Sequence, residues 1–133
     1  MSKSLIQTAN TSQQTVAVGS IISLGSVLHR FGCNSRLNGN AIELRGEGYY
    51  TIDVDATVTP TATGNVTITL FKDGVAIPSA TATNSVSTAG NSTTLPINTT
   101  IRLGCNCDRA SLTAVLIAGA GTVSNISVRV IKQ

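Results

Sequence analysis

Apolar and polar residues alternate almost without interruption from Gly48 to Val58 and again from Val66 to Leu70. In the first run Tyr50, Ile52, Val54, Ala56 and Val58 fall on one side; Tyr49, Thr51, Asp53, Asp55 and Thr57 fall on the other. A period of two marks a strand with one buried face, because successive side chains leave the pleat in opposite directions. Val66, Ile68 and Leu70 resume the core face after a connection at residues 60–64. Leu95, Ile97, Thr99, Ile101 and Leu103 alternate next, with Pro96 on the outward side, where a missing N–H suits an edge strand. Ser124, Ile126, Val128 and Val130 close the chain in the same way. The run from Ser111 to Ala118 departs from the pattern: Leu112, Val115, Leu116 and Ile117 make both faces apolar. That composition predicts a strand lying between the core and a partner.

Turn signals separate these runs. Asn38-Gly39-Asn40, Arg45-Gly46-Glu47-Gly48 and Lys72-Asp73-Gly74 read as tight turns, and Gly32 stops a short strand over Ser26 to Phe31. Thr15 to Val18 and Ile21 to Leu24 bracket Gly19-Ser20 as a bent strand. Val75 to Ile77 reads as a short strand ended by Pro78. Residues 79–92, rich in Ser, Thr, Ala and Asn, read as a long loop or a thin edge strand. Residues 1–14 are polar and are expected as a flexible arm or a short opening strand, ahead of one domain over 15–133. No stretch carries a helical period with caps. About eight to ten short antiparallel strands in 133 residues predict an all-β sandwich of the jelly-roll or barrel type.

Composition sharpens this picture. Charged residues make up only 11% of the chain, and there is no Trp, so the solvent faces are built from Thr, Ser and Asn. So little charge gives weak colloidal repulsion, which favours hiding surface in an oligomer. The net charge of +3 is scattered, with a loose group at His29, Arg30, Arg36 and Arg45. It lacks the dense basic stripe and stacking aromatics of a nucleic-acid footprint. No apolar run reaches the length of a membrane span. The first residues turn polar too soon for a signal peptide, which predicts synthesis in the cytoplasm. The Asn-x-Ser/Thr triplets at Asn10, Asn65, Asn91, Asn98 and Asn125 then follow from the abundance of Ser and Thr.

Candidate chemistry is sparse. Cys105 and Cys107 sit two apart and face one side of an extended segment; with Cys33 and His29 they are the set available to a zinc ion. The Cys-x-Cys spacing is short for the common knuckle, and free thiols or a disulfide from Cys33 to Cys105 or Cys107 are favoured. His29, the one histidine, lies in an apolar strand, as a packing or symmetry-axis residue does more often than a catalytic base. Asp53 and Asp55 share a strand face about 7 Å apart and read as solvated carboxylates; Glu47 and Asp108 are the remaining turn acids available to a cation. Asp73 is explained by Asp-Gly hairpin chemistry, and residues 118–121 form no phosphate loop. No catalytic group, cofactor or metal is expected, and the chain is not read as an enzyme.

In strand order, residues 15–131 resemble the jelly roll shared by the tumour-necrosis-factor family and the complement globular head. The resemblance rests on Gly48-Tyr49-Tyr50-Thr51-Ile52, on Thr69-Leu70-Phe71-Lys72-Asp73-Gly74-Val75, and on Ile101-Arg102-Leu103-Gly104 followed by two closing strands. It is similar in flavour to the bacterial and phage forms, including collagen-like spore-surface tips and small phage structural proteins. The chain lacks the aromatic richness of the animal members and any Gly-X-Y stalk. The resemblance implies a homotrimer about a threefold axis. It points to a structural or adhesive phage or prophage virion component: a fibre tip, decoration or receptor-binding head. The alternative is a carbohydrate-binding or spore-surface module of the same fold, with Tyr49 as its sugar-stacking candidate. Tyr49, Leu112, Leu116, Ile117 and Val128 are the expected trimer-interface residues. Residues 34–40 and 79–92 are the expected partner-facing loops, toward other virion proteins or a cell-surface glycan.

Overall fold

The computed structural model describes residues 4–88, 90–104 and 109–132, and at position 79 the backbone only. Eleven strands run through it: β1 (Ser4–Asn10), β2 (Gln14–Val16), β3 (Ser26–Phe31), β4 (Ser35–Asn38), β5 (Ala41–Arg45), β6 (Gly48–Pro60), β7 (Gly64–Lys72), β8 (Val75–Val86), β9 (Thr93–Leu103), β10 (Arg109–Ala118) and β11 (Gly121–Lys132). They form two antiparallel sheets. The major sheet has the order β3-β1-β11-β6-β9, with β2 also paired to β11; the minor sheet has the order β4-β5-β10-β7-β8. No helix occurs among the described residues. The architecture is the jelly-roll sandwich that the alternation predicts.

The inward row of each long strand meets its counterpart from the other sheet. Ile6, Ile52, Val54, Leu95, Ile97, Val128 and Val130 face Ile42, Leu44, Val66, Ile68, Leu70, Leu112 and Leu116 across one apolar core. The predicted turns at Gly39-Asn40 and Asp73-Gly74 close the β4–β5 and β7–β8 hairpins. Asp73 and Gly74 both have positive φ, 52° and 82°, the geometry that the twist of a two-residue hairpin favours and that Asp-Gly tolerates.

Strand pairing defines four segments that the alternation left open or read otherwise. The amino-terminal residues, expected as a flexible arm or a short opening strand, form β1, an interior strand paired to β11 on one side and β3 on the other. Ile6 is fully buried, and Ser4 and Thr8 fill the other inward positions; long-range pairing holds a segment whose own pattern is polar. Residues 79–86, expected as part of a long loop or a thin edge strand, belong to β8, the edge strand of the minor sheet, and Pro78 sits where the β7–β8 register slips, a bulge that tolerates its missing N–H. Residues 34–40 are largely β4 and its turn rather than a loop. The bent strand at 15–24 is a crossing. β2 pairs with β11, then Gly19 and Ile22 donate backbone N–H bonds to Leu116 and Ala114 of the minor sheet. Gly25 ends the crossing with φ +77° in contact with the Ala9 carbonyl, where any Cβ would collide.

Candidate functional site

The outer face of the major sheet is built by strand register. Leu5 stands opposite Phe31 on one side and Ile131 on the other, and Thr51 and Thr100 continue the row. The next row runs His29, Gln7, Arg129, Asp53, Asn98, and Arg129 Nη2 binds Asp53 Oδ2 at 2.8 Å. Tyr49 lies one step beyond Thr51, opposite Arg102, whose guanidinium carbon sits 5.9 Å from its ring centroid, within reach of a cation–π contact. His29 therefore neighbours Gln7 rather than an acid, and Asp55 lies beside Ser127 and Pro96.

The edge of this sheet carries the strongest apolar signal. Every residue of β3 is exposed, with Leu28 54% and Phe31 64% accessible. Val18 and Ile21, in the crossing that precedes β3, are about half exposed, and Ile21 bridges Val115 of β10. Residues 18–31 thus expose Val18, Ile21, Val27, Leu28 and Phe31. An exposed apolar edge strand is a template for association unless something covers it.

This geometry corrects the expected interface. Leu112, Leu116 and Val128 are at most 2% exposed; they face the opposite sheet and are unavailable to a neighbouring subunit. Val115, on the outer row of β10, is buried beside Ile21 of the crossing chain, its bridge partner. Tyr49, 54% exposed on the major sheet, and Ile117, 40% exposed at the β10 bulge, do reach the surface. The apolar row of Phe31, Leu5 and Ile131 escaped sequence reasoning because it draws one residue from each of three strands far apart in the chain.

The outer face of the β7–β8 pair carries a polar, self-satisfied ladder. Thr67 pairs with Thr83, and Thr69 with Thr81, each at 3.0 Å between hydroxyls, while Ser85 donates to Asn65 Oδ1 at 2.7 Å. At the end of the minor sheet Arg30, Arg36, Arg45 and Arg109 line a cleft of about 460 Å³ with Cys33, Asn34, Glu43 and Asp73. Arg36 Nε binds Glu43 Oε1 at 2.7 Å. That bond, with one from the Asn38 amide, holds the Glu43 carboxyl below the ordinary carboxylate range. Cys33 is an exposed free thiol. Cys105, Cys107 and Asp108, the other residues weighed for a disulfide or metal, lie outside the described residues. Among the described residues no group of three His, Cys, Asp or Glu side chains converges.

On the inner side, Tyr50 is buried at one end of the sandwich, where its hydroxyl is 3.0 Å from the Arg45 carbonyl and 2.9 Å from that of Gly46. Burial pushes its phenol above the ordinary tyrosine value. This anchors the β5–β6 turn and leaves Tyr49, its neighbour, facing outward.

No protein-family profile and no curated protein matches the chain. Solved structures do. Murine APRIL at pH 5.0 superposes with a TM-score of 0.77 at 9% identity, covering 99% of this chain and 100% of its own. The globular domain of zebrafish complement 1qA gives 0.70 at 8% identity, with 95% and 94% covered. PRD1 vertex protein P5 gives 0.61 at 14% identity, with 98% and 96% covered. Strand order, core and end-to-end superposition agree: the chain has the jelly-roll fold seen in tumour-necrosis-factor proteins, complement globular heads and a viral vertex protein.

Proposed function

We propose that the protein is a homotrimeric structural or adhesive component of a phage or prophage virion. The observation that carries this reading is the exposed apolar edge at β3 and residues 18–31, beside an outer sheet face bearing Leu5, Ile131 and Tyr49. A rotationally closed ring with three copies joins two different patches, an edge of one subunit and a face of the next. β3 supplies the edge, and the Tyr49 face supplies its counterpart. The number three comes from the resemblance to the tumour-necrosis-factor fold, and the particle setting from the likeness to a vertex protein. Three copies also turn a weak receptor contact into useful avidity.

Mass spectrometry of purified particles from a host encoding the chain tests the virion reading. A stoichiometric component is expected, and absence from intact particles would overturn it. The second reading, a carbohydrate-binding or spore-surface module, is favoured by one observation, the accessible Tyr49 ring. Arg102 sits over that ring, so sugar stacking there needs the guanidinium to move or the opposite ring face to be used. A glycan array with wild type and Tyr49→Ala separates the two: glycan signal lost in the variant favours the second reading.

A further inference from the structure

Four strands each send one arginine into the cleft at the end of the minor sheet: Arg30 from β3, Arg36 from β4, Arg45 from β5 and Arg109 from β10. The chain has only nine Lys and Arg residues in all, so this is a strong concentration of its positive charge. Two carboxylates line the same cleft, and both are engaged. Glu43 is held by Arg36 and the Asn38 amide. Asp73 Oδ1 accepts the Ser111 N–H at 3.0 Å. Arg30 Nε is spent on the Ser35 carbonyl.

Arg45 and Arg109 are the unusual pair. They are direct cross-strand partners in the β5–β10 ladder, and neither makes an ion pair among the described residues. Like charges directly opposite one another destabilise an antiparallel pair. The Glu43 carboxylate attracts Arg109 without forming an ion pair with it, and a bound anion reverses the sign of the Arg45–Arg109 repulsion. Facing register positions allow two guanidinium forks to present paired N–H donors to oxygens in one plane or one tetrahedron.

We infer that this cleft binds an oxyanion, a carboxylate, phosphate or sulfate group, bridged between the guanidiniums of Arg45 and Arg109. Arg30 and Arg36 deepen the positive field around it. Arg45 and Arg109 belong to the minor sheet, so their variants are read separately from the virion reading, although Arg30 reaches the cleft from the β3 edge.

The test compares wild type with Arg45→Ser and Arg109→Ser, melted in sodium chloride and, at equal ionic strength, in sodium phosphate, sulfate or glucuronate. In dilute chloride both variants melt at or above wild type, since each removes one of two facing charges. At least one oxyanion raises the melting temperature of wild type more than that of either variant. Titration calorimetry with that anion gives binding at least tenfold weaker in Arg109→Ser. The anion giving the largest difference identifies the group: glucuronate a carboxylate, phosphate or sulfate a tetrahedral oxyanion. Arg109→Lys, which keeps the charge and loses the fork, also binds more weakly than wild type. Equal rises for wild type and both serine variants in all three anions overturn the inference, because salts excluded from protein surfaces stabilise any fold in that way.

Discussion

β9 and β3 are the two edge strands of one sheet, yet they are finished in opposite ways. β9 alternates cleanly: Leu95, Ile97, Thr99, Ile101 and Leu103 are buried, and Thr94, Pro96, Asn98, Thr100 and Arg102 are exposed. Its pairing with β6 runs unbroken through Pro96, so the missing N–H lies on the free side, where an incoming strand would need it. Asn84 of β8 then ties the two sheets together along this side through Thr93 Oγ1 at 3.0 Å and the Thr94 carbonyl at 2.8 Å. β3 has no buried residue, and Val27, Leu28 and Phe31 all stand in solvent. The polar side is complete in a single chain. The apolar side leaves Leu28 and Phe31 uncovered in a single chain.

The largest expected effect comes from breaking the apolar side. Leu28→Asp with Phe31→Asp removes two side chains worth about 1.5–3 kcal/mol each when buried, so the assembly falls apart by about a hundredfold or more in dissociation constant. The chain stays folded, since both residues are exposed within one subunit; analytical ultracentrifugation and circular dichroism read the two properties separately. Leu116→Ala inverts that outcome. It opens a cavity between the sheets and costs about 2–5 kcal/mol of stability, seen as a lower denaturation midpoint, while the assembly of the folded fraction persists.

Those two substitutions also mark what the chain discloses about itself. The alternation in β6, β7, β9 and β11 is a local property, and so are the Asp-Gly and Gly-Asn hairpins; each can be read from neighbouring residues. Which apolar row meets the core and which meets a partner is not local. Leu112 and Leu116 look like Phe31 and Leu28 in composition, and only the opposite sheet distinguishes them. β1 was hidden because Ser4 and Thr8 occupy inward positions beside Ile6. The facing of Arg45 and Arg109 depends on a register between strands separated by about half of the chain.

Smaller effects sharpen the polar side. Asn84→Ala loses the two bonds that tie β8 to β9 and is expected to cost about 1 kcal/mol, measured by urea unfolding, with no change in assembly. Tyr50→Phe costs a similar amount through the lost hydroxyl contacts and also alters the alkaline limb. Because the folded-state pKa of Tyr50 is raised, the proton is held more tightly in the folded chain. Its contribution is complete below the unfolded tyrosine value of about 10 and is lost as pH rises through the folded value. Wild type therefore loses stability more steeply than Tyr50→Phe above that pH in denaturant titrations. At the acid end Glu43, whose pKa is lowered chiefly by the Arg36 hydrogen bond, contributes above its unfolded value and loses that contribution as pH falls through the folded one.

The unfinished β3 edge is the centre of this account, and the mass of the wild-type protein in solution tests it most directly. Sedimentation equilibrium at micromolar concentration is expected to give three times the 13.6 kDa of one chain. A stable 13.6 kDa species across that range would contradict it, since Leu28 and Phe31 would then be standing in water with nothing to cover them.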